Sequence, residues 1–132
     1  MSLTQSIDAE QSVLGGLLLD PEVIASVLSI LKPAHFYNVA HKHIYQAVID
    51  LDEQSKPIDA VTVSEKLEDC GLLVSVGGTA YLGELSDMTP STANSEAYAQ
   101  IVVEKAKYRR LSLIGSGINL MMEDCAKVEE VE

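Results

Sequence analysis

Only two cysteines occur in the 132 residues. Cys70 and Cys125 form no C-x-x-C pair, so the chain encodes no disulfide framework, and the two thiols read as reduced bystanders. Basic residues are scarce as well: 9 lysines and arginines stand against 20 aspartates and glutamates, a formal net charge of −11 at pH 7. That sign repels a phosphate backbone, disfavours non-specific DNA binding and favours basic protein partners. No apolar run approaches the roughly 20 residues that span a bilayer. The opening MSLTQSIDAE lacks the basic and apolar stretches of a secretory signal. These absences point to a soluble cytoplasmic protein with no membrane partner.

Catalytic signatures are missing too. There is no H-E-x-x-H, no G-x-x-x-x-G-K-[ST], no G-x-S-x-G and no G-x-G-x-x-G. No catalytic or cofactor-binding residue is therefore assigned. Three histidines, His35, His41 and His43, crowd into HFYNVAHKHIY and invite a metal reading. Helical geometry argues against it. At about 100° per residue, His41 and His43 point some 200° apart on one helix, whereas a zinc pair needs i, i+3 or i, i+4 spacing. His41 is expected at the edge of the core and hydrogen-bonded, with His43 more exposed and no metal bound.

What is present is helical periodicity. Val13, Leu14, Leu17 and Leu18 repeat at helix spacing behind Asp8, a candidate N-cap with Gln11 three residues on. Asp20-Pro21 ends that helix and opens EVIASVLSIL, which Pro33 stops. Ala40, Ile44, Ala47, Val48 and Leu51 form one stripe of a third helix. Asp59 caps a fourth, closed by Gly71; Gly77 and Gly78 turn the chain into a fifth that carries Leu82 and Leu85. After the loop TPSTAN, helical pattern runs from Asn94 to Ala126 and is interrupted by Gly115-Ser116-Gly117, a candidate kink. A helix of about 30 residues extends ~45 Å. That exceeds a head of some 90 residues, roughly 25 Å across. Such an arm has to bury its apolar positions against something. The closing KVEEVE begins a further helical pattern, which reads as part of a longer protein. The expected architecture is all-α: a small globular helical head, residues 1–92, followed by a long helical arm, residues 93–132.

Taken in order, IDAEQSVLGGLLLD, FYNVAHKHIYQAVIDL, PIDAVTVSEKLEDCG and VGGTAYLGELSDMTPSTANSEAYAQIVVEKAKYRRL resemble the N-terminal domain of the DnaB family of bacterial replicative DNA helicases. The resemblance covers roughly residues 5 to 126. It implies a non-catalytic collar from a hexameric ring, a trimer of dimers, that mediates assembly and receives the helicase-binding domain of primase. The ATP and Mg2+ chemistry belongs to a RecA-like motor domain absent from this chain, and DNA is met only through the parent ring. The arm corresponds to the first half of a helical hairpin. Self-association residues on it are Ile101, Tyr108, Leu111, Ile118 and Met122. Tyr81 is a candidate partner-binding aromatic, with a core tyrosine as the plainer alternative. Lys105, Arg109 and Arg110 in EKAKYRR are either a solvated helix face or a contact for an acidic partner or nucleic acid. The other function class open to this sequence is a free-standing acidic helical regulator that binds primase or the helicase ring.

Overall fold

The computed structural model describes residues 5–89 and 91–116, with side chains described as far as Leu113. Among the described residues there are six α-helices and no strand: α1 Ile7–Leu19, α2 Ile24–Ile30, α3 Val39–Glu53, α4 Ala60–Asp69, α5 Gly78–Met88 and α6 Ser95–Ser116. Two single 3-10 turns, Pro21–Val23 and Pro33–His35, link α1 to α2 and lead out of α2. The all-α expectation holds. No single helix among the described residues is long and apolar enough to cross a membrane.

Local chemistry sets most boundaries. Asn38 caps α3 by accepting the His41 N–H, and Asp59 caps α4 in a reciprocal pair with Thr62. Asp20 ends α1 and caps the next turn through Glu22 N–H, while its other oxygen takes a hydrogen bond from Thr92. Gly71, Gly77 and Gly78 adopt the positive φ their turns require. The start of α1 differs from expectation. Ser6 is the N-cap, its hydroxyl accepting the Ala9 N–H at 3.3 Å, and Asp8 lies inside the first turn. There its carboxylate still complements the positive end of the helix dipole.

The core is built around α1, which touches α3, α5 and α6. Ala9, Glu10 and the whole run Val13–Leu18 are buried on it. A helix buried on nearly all sides needs close neighbours, and Gly15 and Gly16 provide the room. A Cβ at Gly15 would collide with Thr89 Oγ1 and the Leu85 carbonyl oxygen of α5; one at Gly16 would collide with Ser95 Oγ of α6. Two helices thus approach the α1 backbone directly. Ser95 is buried there, its hydroxyl without a hydrogen-bond partner. On α3, Ile44, Ala47, Val48 and Leu51 are buried as their spacing predicted, and Ala40 is half-buried. Val63 and Leu67 of α4, and Leu82 and Leu85 of α5, close the core.

Tyr45 is the largest fully buried side chain. Its hydroxyl donates to the Leu31 carbonyl at 2.8 Å, tying α3 to the end of α2. Burial pushes its phenol well above the ordinary value of 10.0. A folded-state value above the unfolded one leaves the stability intact below pH ~10 and removes it as the pH rises beyond. Urea unfolding from pH 8 to 11 should show this alkaline loss. In Tyr45→Phe the Tyr45 part of the slope should vanish, and an identical slope in both proteins would contradict the assignment.

Helix α6 has two apolar sides. Ser95, Ala99, Val102 and Ala106, at i, i+4, i+7 and i+11, are buried against α1 and α2. Ile101, Tyr108 and Leu111 lie about 180° away by helical geometry and are 37%, 52% and 46% exposed. Over Ser95–Ala106, head and arm therefore share one core. The helix continues through Ser116. Gly117, where the kink was expected to end, and the helical pattern onward to Ala126 lie outside the described residues.

Candidate functional site

Two polar side chains occupy apolar stripes. Glu10 stands at the head of the series Val13, Leu14, Leu17 on α1, and His41 at the head of Ile44, Tyr45, Val48 on α3. They are 1% and 0% exposed, and they meet: His41 Nδ1 is 2.7 Å from Glu10 Oε1. Glu10 also accepts from the backbone N–H groups of Tyr37 at 2.6 Å and Asn38 at 3.3 Å. The other ring nitrogen, His41 Nε2, is 2.6 Å from the Tyr81 hydroxyl, which also accepts from Gln11 Nε2 at 3.2 Å. A carboxylate only accepts, so His41 donates from Nδ1, and in the neutral imidazole Nε2 then accepts the Tyr81 O–H. The result is a continuous hydrogen-bonded chain joining α5, α3 and α1. The Phe36 ring meets His41 edge-on, and the Tyr81 ring lies parallel to it, centroids 5.9 Å apart.

His41 is thus deeper than the core edge where the sequence placed it, and it is hydrogen-bonded as expected. His43 is half-buried, more exposed than His41. His35 Nδ1 accepts the Lys32 N–H at 2.9 Å and closes its own turn. Helix geometry keeps His43 away from His41, whose two nitrogens are already engaged. Among the described residues no group of three His, Cys, Asp or Glu is arranged to hold a metal ion.

Tyr81 sits in the first turns of α5, half-buried. It packs against the core, and its hydroxyl points inward to His41. Gly77 is what lets this ring lie close to the chain, since a Cβ at Gly77 would come 2.8 Å from Tyr81 Cβ. The basic run divides. Arg109 is turned onto the head: it donates to the His35 carbonyl at 2.7 Å, and its guanidinium lies 5.5 Å from the Tyr37 ring centroid. Burial lowers its pKa below the ordinary arginine value, against the opposing pull of Glu10 and Tyr37. Lys105 and Arg110 are half-buried, and Lys107 is exposed. Ile101, Tyr108 and Leu111 fall on one outward face of α6; Ile118 and Met122 lie outside the described residues.

Sequence reasoning missed Glu10, Gln11, Tyr37 and Asn38 as members of this network. A signal existed. A glutamate three and four residues before paired apolar positions on one helix, and a histidine in the same position on another, are two polar residues on buried faces. Each needs a partner, and they can serve each other.

The model of the DnaB-like helicase N-terminal domain family matches residues 2–104. This chain belongs to that family. It is 46% identical over 114 residues, 86% of its length, to the replicative DNA helicase DnaB of Mycobacterium leprae. It spans only 19% of that relative. The crystal structure of the N-terminal domain of DnaB helicase from Mycobacterium tuberculosis superposes with a TM-score of 0.87 at 45% identity. That match covers 98% of this chain and 93% of the other. A structure of a DnaB-like replicative helicase and its interactions with primase matches with a TM-score of 0.76 at 29% identity, over 96% of this chain and 32% of the other. The four motifs of the DnaB N-terminal domain therefore lie on one helical scaffold. Within the DnaB-like fold the Glu10–His41–Tyr81 chain is internal, and the large apolar side chains of α6 at Ile101, Tyr108 and Leu111 face outward.

Proposed function

We propose that this DnaB-family domain is the assembly and docking collar of a hexameric replicative helicase. It associates with copies of itself through the outward face of α6 and receives the helicase-binding domain of primase on the head. The observation that carries the reading is the second apolar side of α6. Ile101, Tyr108 and Leu111 are exposed in the single chain, and a row of large apolar side chains at helical spacing is a surface made to be covered. Tyr81 is the aromatic anchor of the head: it is partly buried, and its hydroxyl is tied to His41. Lys105, Arg109 and Arg110 contribute to partner contact on the other flank. The chain itself neither hydrolyses ATP nor unwinds DNA. Those activities, with their ATP and Mg2+, belong to a motor domain that carries the P-loop, and DNA is contacted by the assembled ring in the bacterial cytoplasm.

Sedimentation tests the assembly part. The 132-residue chain should sediment as a dimer or larger species. Replacing Leu111 and Ile118 with glutamate should reduce it to a monomer with unchanged helicity, and an unchanged mass would remove the assigned face. Titration with a primase helicase-binding domain tests docking. Tyr81→Ala should weaken binding by roughly tenfold or more, the loss typical of a buried aromatic anchor. Equal affinities would remove Tyr81 from the interface.

A further inference from the structure

The inward stripe of α6 outruns the head it packs against. Ala106 is buried, yet Leu113, seven residues on and on the same side of the helix, is 71% exposed. Beside it a groove of about 710 Å³ opens between α6 and the segment from α2 into the Pro33–His35 turn. Its apolar lining is Ile30, Ala34, Val103, Ala106 and Leu113. Its rims are cationic. Lys32 stands on the α2 side, and Lys107, Arg109 and Arg110 stand on the α6 side. Four of the nine lysines and arginines of a chain with net charge −11 thus border one groove, and among the described residues no Asp or Glu lines it.

We infer that this groove is a docking site for an acidic amphipathic helix of a partner protein. An apolar ridge at i, i+3/i+4 and i+7 packs on the apolar lining, and the carboxylates flanking it meet Lys32 and Lys107 on the two sides. Charge complementarity chooses this occupant. A nucleic acid would bring phosphates but nothing for the apolar lining, and the remaining surface of the chain repels it. Lys32 and Lys107 are both exposed, so they can reach a partner without disturbing the core. The inference deepens the partner-contact role proposed for Arg109 and Arg110. It shares no residue with Tyr81 and does not depend on primase docking there.

The test uses the full 132-residue chain and a fluorescein-labelled peptide of roughly 18 residues, with leucine at i, i+3/i+4 and i+7 and glutamate elsewhere. Anisotropy should show saturable binding that weakens at higher salt. Lys32→Glu/Lys107→Glu should weaken it at least about tenfold while the melting temperature holds. Any of four binding results overturns the inference: no saturable binding; equal binding by a scrambled peptide with no apolar face; a dT20 oligonucleotide that competes equally; or an affinity indifferent to the charge reversal. If the same variant instead abolishes self-association in sedimentation, the groove belongs to a second copy of the chain and the inference falls. A failure to bind the primase domain is read in a separate titration and leaves this result standing.

Discussion

Replacing Gly15 by alanine should destabilise the domain by about 3 kcal/mol or more and lower its melting temperature by roughly 12 °C or more. The reason is the backbone of α5. A methyl group at Gly15 would enter the space of Thr89 Oγ1 and of the Leu85 carbonyl oxygen. A side chain can rotate away, but the carbonyl moves only if α5 moves, and α5 also carries Leu82 and Leu85 into the core. Gly16→Ala meets only the Ser95 hydroxyl and side chain, so it should cost less. Gly83→Ala is the internal control. No atom beyond its own helix turn and chain neighbours lies within 4 Å of a Cβ there, and the residue is inside a helix, so alanine should stabilise by roughly 0.5–1 kcal/mol. Thermal melts followed by circular dichroism order the three variants. A neutral Gly15→Ala would mean that α1 and α5 are less closely apposed than the structure shows.

The second large effect is expected at Glu10. Its carboxylate accepts three hydrogen bonds, from Tyr37 N–H, Asn38 N–H and His41, and it is 1% exposed. Glu10→Ala leaves those donors unmatched and opens a void, a loss of about 3–5 kcal/mol. Native stabilities are of order 5–15 kcal/mol, so this variant approaches unfolding at moderate temperature. His41→Ala removes the middle of the same chain. The double variant should therefore cost less than the sum of the two single variants, by about 1–3 kcal/mol, because the second substitution removes a group already stranded by the first. Denaturant unfolding of the four proteins measures that coupling. Costs that add to within ~0.5 kcal/mol would show that Glu10 and His41 act independently.

Much of the scaffold is legible in the residues alone. Ile44, Ala47, Val48 and Leu51 share a helical period and share a buried face. Asp20-Pro21, Asp59, Gly71, Gly77 and Gly78 mark ends and turns because cap and positive-φ chemistry acts over three or four residues. The misplaced cap on α1 shows the limit even there. Ser6 and Asp8 are both good caps two residues apart, and either choice fits the pattern Val13, Leu14, Leu17. The outward row of α6 was legible as well, since Ile101, Tyr108 and Leu111 recur near a heptad spacing and fall on one exposed face.

The site was not legible in the same way. The partners of His41 are Glu10, 31 residues before it, and Tyr81, 40 residues after it, and no periodicity within a helix encodes a contact between helices. Burial depth is similarly non-local: His41 sits on the flank of an apolar stripe in the sequence, and it is fully enclosed because α1 and α5 close over it. Arg109 reads as one of four charges on a solvated run, yet the helix turns it onto Tyr37 and the His35 carbonyl. The sequence by itself determined the all-α class, most helix ends, the apolar faces and the family, because those depend on residue type and on spacing within one element. Only the tertiary structure decided which faces meet, that α1 admits two neighbours at Gly15 and Gly16, and that Glu10, His41 and Tyr81 form one chain. Those outcomes depend on backbones from distant segments being brought within a few ångströms of each other.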